Sequence, residues 1–311
     1  MSSKNAGIIN ICKPPGMTSF DVVNWLKKIF HADKAGHTGT LDPRAAGVLP
    51  VCMEKGTKII PFLPEEKKEY HCEIELGLET TTHDREGEIA EQSRNWQSLS
   101  REEIQSVLDN YLGWIEQIPP MYSAVKKNGK KLYELARKGK EVEREAREVH
   151  IESLEITYLK LPLIHIKVTC SRGTYIRALT RDIGRDLDCG GVLNFLLRST
   201  SGPFKLENSL TPKELKTEKN LSARLMPLTA PLNFVELKVK NYALERAVNG
   251  AELAREDFEN PQNIAITESK NKEDNKYIIR GPDNLFIAIS SLKQKNDEIH
   301  LKPERVFNLE E

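Results

Sequence analysis

Two segments alternate apolar and polar residues, and this alternation constrains the fold more than any other feature of the sequence. They read YHCEIELG (residues 70–77) and LIHIKVTC (residues 163–170). Successive side chains of a strand point to opposite faces of a sheet, so an alternating strand has one covered and one open face. We therefore predict two half-buried strands of the kind that antiparallel sheets contain.

Helices are predicted on both sides of these strands. TSFD (residues 18–21) has the pattern of a capping box, and apolar residues at helical spacing follow it. YIRALTRDIGRDLD (residues 175–188) has the same spacing, and the apolar run GIINI (residues 7–11) predicts a buried strand. Strands and helices do not alternate regularly, which argues against a doubly wound fold. The predicted class is α+β, with a mixed, mainly antiparallel sheet flanked by helices.

The sequence changes character after about residue 230. Short strand-like runs follow one another there, separated by Asn, Gly, Pro and charged residues: VELKVK, NIAIT, KYIIRG, NLFIAIS and EIHLKP. Five short strands in a row are typical of a small β-barrel or sandwich. We therefore divide the chain into a larger domain, residues 1–230, and a smaller β-rich domain, residues 231–311.

The charge of the chain is balanced overall but uneven locally. Its 46 basic and 46 acidic residues give a net charge of zero, which by itself argues against a nucleic-acid partner. The segment MYSAVKKNGKKLYELARKGK (residues 121–140), however, has seven Lys and Arg residues and a single Glu. It is either a solvated basic face or a patch for a polyanion.

The sequence also bears on the cellular compartment. No apolar run is long enough for a transmembrane helix, and the N-terminus lacks the pattern of a secretory signal. The five cysteines are scattered, without a C-x-x-C pair, which argues against a zinc ribbon or a disulfide framework. We expect a cytoplasmic protein with no membrane contact.

The segment HTGTLDP (residues 37–43) contains an aspartate, Asp42, that could make a turn, bind a metal or attack a substrate. Metal-ligand spacing is missing around it, so we expect no metal. A likeness to the D-K-T-G-T-L-T motif of aspartyl-phosphate enzymes fails because Gly36 stands where the nucleophile would be. The G-x-S-x-G motif of serine hydrolases is absent as well. Asp42, Arg177 and Tyr70 remain, although each one alone is better explained structurally.

Several blocks of the sequence, in one order, resemble the TruB family of tRNA pseudouridine synthases. They are KPPGMTSFDVV (13–23), GHTGTLDPRAAGVLPV (36–51), PPMYSAVKKNGKKLYELARKG (119–139), CSRGTYIRALTRDIG (170–184) and LNFLLRSTSGPF (193–204). The resemblance spans roughly residues 7–204, and the C-terminal part resembles the PUA-type RNA-binding module of bacterial members. Arg44 and Ala46 depart from the family pattern, as does the one Arg in LLRST.

The resemblance implies an enzyme that isomerises the T-loop uridine, position 55 of tRNA, after turning the base out of the loop. Asp42 would be the catalytic aspartate. Tyr70 would stack on the target base and handle a proton, and Arg177 would pair with the aspartate. His37 would enter the space that the flipped base leaves, and Leu196 would line the pocket.

The resemblance also implies positions for further substrate contacts. Lys13 and Tyr175 would bind the substrate, and Asp84 matches a motif position with a role in RNA contact or structure. The basic inserted segment, about residues 119–150, supplies candidates for contact with the RNA backbone: Lys126, Lys127, Lys130, Lys131 and Arg137. The expected partner is the T-stem and T-loop of tRNA, bound by a monomer.

Elementary chemistry agrees with this interpretation. Pseudouridine formation breaks and remakes a bond to one base without a redox change, so no cofactor is expected. A partly buried carboxylate needs a neighbouring cation to stay ionised, and Arg177 would provide a bidentate one. The sequence leaves three routes open: addition to uracil C6, attack on ribose C1′, and assisted deprotonation at C2′. A non-enzymatic RNA-binding or RNA-chaperone protein and a hydrolase of glycosidic bonds are the rival hypotheses.

Overall fold

The computed structural model describes residues 6–64, 67–123, 125–127, 129–136, 138–140, 142–264, 275–295 and 298–310. The strands of the first two thirds of the chain are β1 (Gly7–Lys13), β2 (Ala35–His37), β3 (Ala46–Met53), β4 (Lys68–Leu76), β5 (Leu78–Thr80), β6 (Ile89–Gln92), β7 (Gly113–Gln117), β8 (Lys126–Lys127), β9 (Lys130–Lys131), β10 (Arg147–Lys160), β11 (Leu163–Cys170), β12 (Gly191–Ser201) and β13 (Phe204–Lys205). The strands of the last third are β14 (Val235–Lys238), β15 (Leu253–Ala254), β16 (Lys276–Arg280), β17 (Leu285–Lys295) and β18 (Glu298–Glu310). The helices are α1 (Ser19–Ile29), α2 (Arg101–Asp109), α3 (Leu132–Ala136), α4 (Ile176–Asp186), α5 (Pro212–Thr217) and α6 (Leu244–Val248), and Glu54–Phe62 forms a 3-10 helix.

A nine-stranded sheet organises the larger part of the fold. Its strand order is β1-β3-β12-β4-β11-β10-β7, with β2 added to β3 and β13 added to β12. All of its pairs are antiparallel except β3 with β12, so the predicted mixed, mainly antiparallel sheet is confirmed. The two alternating segments form β4 and β11 and lie side by side, with Ile74 paired to Ile164.

The alternation has the predicted consequence for burial. In β4 the side chains of Cys72, Ile74 and Leu76 are buried, while the residues between them are partly exposed. Helices α1 and α4 cover this apolar face, and their buried side chains join the same hydrophobic core as the strands. The predicted capping box of α1 is present, because Thr18 and Asp21 exchange side-chain and backbone hydrogen bonds. Cys170 is a buried free thiol of this core.

Strands β1 and β3 are buried on both faces, which explains why nearly all of their residues are apolar. Ile9 and Leu49 point to the core beneath α1 and α4. Ile8 and Val48 point the other way, to a second core that contains Phe286 and other residues of the C-terminal region. A second sheet therefore packs against the back of the first.

The C-terminal region is rich in strands, as predicted. It forms a five-stranded sheet in the order β14-β16-β17-β18-β15. Four of the five predicted runs correspond to its strands, but the fifth strand is the short β15, which pairs with β18 through Leu253 and Leu301. Of the predicted strand NIAIT (263–267), residues 265–267 lie outside the described residues, and Asn263 ends a short 3-10 helix. The domain division at residue 230 stays a prediction.

The basic inserted segment lies between β7 and β10. Its described residues form a two-stranded hairpin, β8 with β9, followed by the short helix α3. Within the described chain, no helix has the length and apolarity that crossing a membrane requires.

Candidate active site

Asp42 lies in the loop between β2 and β3, and the segment that follows β1 holds this loop in place. The Ser19 hydroxyl accepts a hydrogen bond from the Leu41 amide (2.8 Å) and donates one to the Leu41 carbonyl (3.0 Å). The Pro43 carbonyl accepts a hydrogen bond from the Gly16 amide (2.9 Å). Both neighbours of Asp42 are thus fixed by backbone contacts, which gives its carboxylate a defined position.

Lys13 contributes to the same restraint. Its side chain is fully buried, and its ammonium group donates to the carbonyls of Pro14 (2.9 Å), Met17 (2.6 Å) and Pro43 (3.0 Å). Burial lowers the pKa of Lys13 to about 8, and the negative charge of Asp42 opposes this shift. The sequence suggested Lys13 as a substrate-binding residue, but all three of its hydrogens bind protein carbonyls. The geometry gives it a positioning role for the Asp42 loop.

Arg177, in the first turn of α4, clamps Asp42. Its Nε lies 2.9 Å from Asp42 Oδ2, and its Nη2 donates to Asp42 Oδ1 at 3.3 Å. The guanidinium also donates to the carbonyls of Thr82 (3.1 Å) and Tyr122 (2.7 Å), and Nη1 lies 3.7 Å from Asp84 Oδ2. The Arg177 side chain is 5% exposed, whereas that of Asp42 is 40% exposed. A buried, fully engaged cation therefore holds a carboxylate that solvent and a substrate can reach.

Tyr70 and Leu196 lie on the neighbouring strands β4 and β12. Tyr70 is 6% exposed and faces Arg198 across the two strands, and Leu196 faces Cys72. Directly paired residues project from the same face of a sheet. Burial raises the pKa of the Tyr70 hydroxyl, while the positive charge of Arg198 opposes the rise.

His37 ends β2, five residues before Asp42 in the same loop region. It is half-buried, and its Nδ1 has no hydrogen-bond partner among the described residues. Burial and the charge of Arg198 lower the pKa of His37, so the imidazole is neutral at pH 7. A neutral, partly exposed ring is suited to stacking in a base-sized space.

Tyr175 precedes α4 and is anchored through its backbone. Its amide donates to Gln117 Oε1 (2.7 Å), and its carbonyl accepts from Gln117 Nε2 (3.1 Å). Burial raises the pKa of the Tyr175 hydroxyl, and a hydrogen bond with Ser123 opposes the rise. The two hydrogen bonds between the Gln117 side chain of β7 and the Tyr175 backbone fix the start of α4, which contains Arg177.

The basic inserted segment reaches the site through Tyr122, whose carbonyl is bound by Arg177. Lys127 and Lys130 are exposed on the hairpin that follows. Arg137 and the side chains of Lys126 and Lys131 lie outside the described residues. Two of the five predicted backbone-contact residues, both of them lysines, therefore lie on an accessible surface.

Arg198 and Ser19 also belong to this site, and neither was predicted from the sequence. Arg198 is fully buried in the middle of β12, where its Nε donates to the Val48 carbonyl (2.8 Å) and its Nη2 to the Gly39 carbonyl (3.1 Å). A charged residue directly after the apolar residues FLL of β12 was the signal that could have identified it. Ser19 gave no such signal, because the capping pattern already accounted for it.

The arrangement resembles known RNA-modifying enzymes in both fold and sequence. A solved Cbf5-Nop10-Gar1 complex contains a chain with the same fold: the TM-score is 0.70 at 28% identity, covering 97% of this chain and 85% of that one. The fold is thus of the pseudouridine synthase class. The family model described as TruB family pseudouridylate synthase (N-terminal domain) matches residues 27–176.

Individual relatives agree with this class. The tRNA pseudouridine synthase B of Alkaliphilus oremlandii is 48% identical over 242 residues, which are 78% of this chain and 80% of that protein. The tRNA pseudouridine synthase B of Clostridium kluyveri is 42% identical over 288 residues, covering 92% and 96% of the two chains. The chain belongs to the TruB family of pseudouridylate synthases.

Proposed function

We propose that this protein isomerises the T-loop uridine of tRNA, position 55, to pseudouridine, with Asp42 as the essential carboxylate. The observation that carries the proposal is the clamp of Arg177 on Asp42: a buried guanidinium contacts both oxygens of a carboxylate that is itself 40% exposed. An ion pair that served only to stabilise the fold would not need a solvent-accessible carboxylate. Family membership and the named relatives support tRNA as the substrate.

The proposed reaction requires that the target base leave its stack. Base flipping costs a few kcal/mol, which stacking contacts in the bound state offset. Tyr70 would stack on the flipped uracil, with Leu196 beside it, and the neutral ring of His37 would fill the space in the loop. The exposed Lys127 and Lys130 would contact phosphates, which fixes the register of the RNA without reading its sequence.

Asp42 supplies the carboxylate in each of the three chemical routes. The bond from C1′ to N1 breaks, the uracil turns, a bond from C1′ to C5 forms, and the C5 proton is lost while N1 gains one. Arg177 keeps the carboxylate oriented throughout, because its planar guanidinium contacts both carboxylate oxygens. The Tyr70 hydroxyl is the nearest candidate for the proton transfer.

We further propose that the protein acts as a monomer in the cytoplasm, where tRNA is found.

The test uses a tRNA transcript labelled with tritium at C5 of its uridines. Wild-type protein should release tritium in proportion to one uridine per transcript, and should release none when the T-loop uridine is replaced by cytidine. Asp42→Ala should release none from either RNA while its affinity for tRNA stays within about threefold of wild type, since one exposed carboxylate contributes little to binding.

Asp109→Ala is the matched control, because Asp109 is an exposed acid at the end of α2. It should turn over like wild type. Turnover by Asp42→Ala at the wild-type rate would refute the assignment. Free uracil among the products would instead indicate a glycosidic hydrolase.

A further inference from the structure

Arg198 is a buried cation whose charge is not matched by an acid. Its side chain is fully buried, and its two hydrogen bonds go to the neutral carbonyls of Val48 and Gly39. Its third nitrogen, Nη1, is buried and makes no hydrogen bond of normal geometry in the described part of the chain. A polar side chain in reach is the Tyr70 hydroxyl, which carries no charge, and contact with Arg198 opposes the rise of its pKa. A buried guanidinium without a counter-charge is costly, so an arginine in this position indicates a ligand that supplies the charge.

Lys68 is a second cation in the same place. It is the first residue of β4, two positions before Tyr70, so its side chain projects from the same face as that of Tyr70. Burial, together with the positive charges of Arg198 and Arg172, lowers the pKa of Lys68 to about 8. The Cys170 thiol is the one group that acts in the opposite direction. The surroundings of Lys68 thus disfavour its charge in the RNA-free protein.

The two cations converge on Gly39. A methyl group added at the α-carbon of Gly39 would lie 3.3 Å from Lys68 Nζ and 3.6 Å from Arg198 Nη1. The φ angle of Gly39 is not in the left-handed region, so the glycine serves to leave space and not to permit an unusual backbone. Nη1 of Arg198 and the ammonium of Lys68 therefore both lie next to one point beside the α-carbon of Gly39, which a larger side chain at position 39 would crowd.

We propose that Lys68, Arg198 and the bare α-carbon of Gly39 form an anion subsite that takes one of the two phosphodiester groups flanking the target uridine. The proposal rests on the proposed function. A phosphate there would supply the missing negative charge. Lys68 would contact it directly, and the buried charge of Arg198 would attract it electrostatically. It would also raise the pKa of Lys68 and so stabilise its charged form.

The position of Gly39 identifies which part of the RNA is bound. Gly39 lies between His37, which would occupy the space left by the base, and Asp42, which would act on the base itself. The backbone of the flipped nucleotide has to pass between these two residues. A flanking phosphodiester is therefore the anion that meets the subsite, and the phosphates of the T-stem are not.

The test combines a variant with an RNA that lacks one charge. Stem-loop RNAs are made with a single neutral methylphosphonate at the linkage before the target uridine, at the linkage after it, or in the stem. Single-turnover rates are measured against enzyme concentration to give the half-saturating concentration. Lys68→Met should raise this concentration about tenfold on unmodified RNA, and should reduce the salt dependence by about one phosphate contact.

The decisive result is non-additivity. For one flanking linkage, the methylphosphonate should raise the half-saturating concentration of wild type about as much as Lys68→Met does, and the combination should add nothing further. The stem methylphosphonate should add fully to Lys68→Met. Additive losses at both flanking linkages would overturn the subsite.

Lys67→Met is the matched control. Lys67 precedes Lys68, but its side chain is 63% exposed and pairs with Glu152. For the Lys67→Met protein, each methylphosphonate should change the half-saturating concentration by the same factor as for wild type. A Lys68→Met protein that behaves like Lys67→Met would equally overturn the proposal.

Two further variants guard against a folding defect in Lys68→Met. Lys68→Arg keeps the charge and should regain most of the lost affinity. Gly39→Ala places a methyl group in the subsite and should show the same non-additivity with the flanking methylphosphonate. If wild type does not turn over unmodified RNA, the proposed function fails; if it does and the losses are additive, only the subsite fails.

Discussion

Arg177 holds Asp42 by both carboxylate oxygens, with Nε 2.9 Å from Oδ2 and Nη2 3.3 Å from Oδ1. The same guanidinium is tied to the carbonyls of Thr82 and Tyr122, which come from two other segments of the chain. The orientation of the carboxylate therefore depends on a fork that four contacts fix in space. A single point charge cannot reproduce these contacts.

Replacement of this fork is the first prediction. Arg177→Lys should lower the single-turnover rate by about 100-fold or more, because small errors in the position of a reacting group are costly. The affinity for tRNA should change little. Arg185→Lys is the control, since Arg185 lies on the same helix and also binds a carboxylate, Glu79, with two nitrogens (2.9 and 2.8 Å), but is 57% exposed. Equal rates for the two variants would remove the positioning argument.

Asp84 is predicted to tune the clamp from behind. Its Oδ2 lies 3.7 Å from Arg177 Nη1, and its Oδ1 accepts hydrogen bonds from the Thr82 hydroxyl (2.5 Å) and the Glu86 amide (2.9 Å). Asp84→Asn keeps an oxygen for the turn but removes the charge, and should lower the rate about tenfold without lowering Tm. Asp84→Ala should lower both. A rate for Asp84→Asn equal to wild type would show that the second carboxylate only shapes the turn.

Gly47 is predicted to be essential for the fold of the sheet. Its φ is +108°, and an added methyl group would lie 2.2 Å from the Arg198 carbonyl oxygen. Gly47→Ala should lower the free energy of unfolding by about 3 kcal/mol or more, since steric overlap adds to backbone strain. Gly113 has a similar φ of +88° but no atom within 4 Å of the added group. Gly113→Ala should lower the free energy of unfolding by only about 1–2 kcal/mol, from backbone strain alone. Urea titration of both variants measures the difference.

The low pKa of Lys68 predicts a pH dependence of RNA binding. In the free protein this pKa is about 8, so the ammonium is charged below pH 8 and neutral above it. A bound phosphate favours the charged form, so RNA affinity should fall as pH rises from 7 to 9, and should fall less for Lys68→Met. The groups that face Lys68 are Arg198, Arg172 and Cys170.

Lys13 titrates in the same pH range as Lys68, so the measurement is the difference between wild type and Lys68→Met across the pH series. Calorimetry in two buffers of different ionisation enthalpy should detect proton uptake on RNA binding by wild type at pH 8. Less uptake is expected for Lys68→Met. Identical pH profiles for the two proteins would contradict the assignment of this pKa to the binding step.

Several elements of the fold followed from the sequence alone because their cause is local. The alternation of β4 and β11 records which face of each strand is covered, and the structure has the same faces buried. The capping box fixed the start of α1 at Ser19. The apolar residues of GIINI predicted that β1 is a buried strand, which is confirmed. In each case, neighbouring residues carry the complete signal.

The site itself could be predicted only by resemblance, because its residues are far apart in the chain. Nothing local in positions 42, 70 and 177 shows that they meet; the clamp forms because α4 begins next to the loop between β2 and β3. The role of Lys13 was likewise hidden, since its carbonyl partners include Pro43, thirty residues on.

The sequence by itself determined several of the elements, their covered faces and the family of the chain. Tertiary structure decided which side chains share one environment. The register of β4 against β12 places Arg198 opposite Tyr70. The loop that contains Gly39 lies against both Lys68 and Arg198. Side-chain periodicity specifies a face but not a neighbouring strand, and electrostatic environment depends on neighbours. The unmatched charge beside the Asp42 loop therefore becomes visible only in the folded chain.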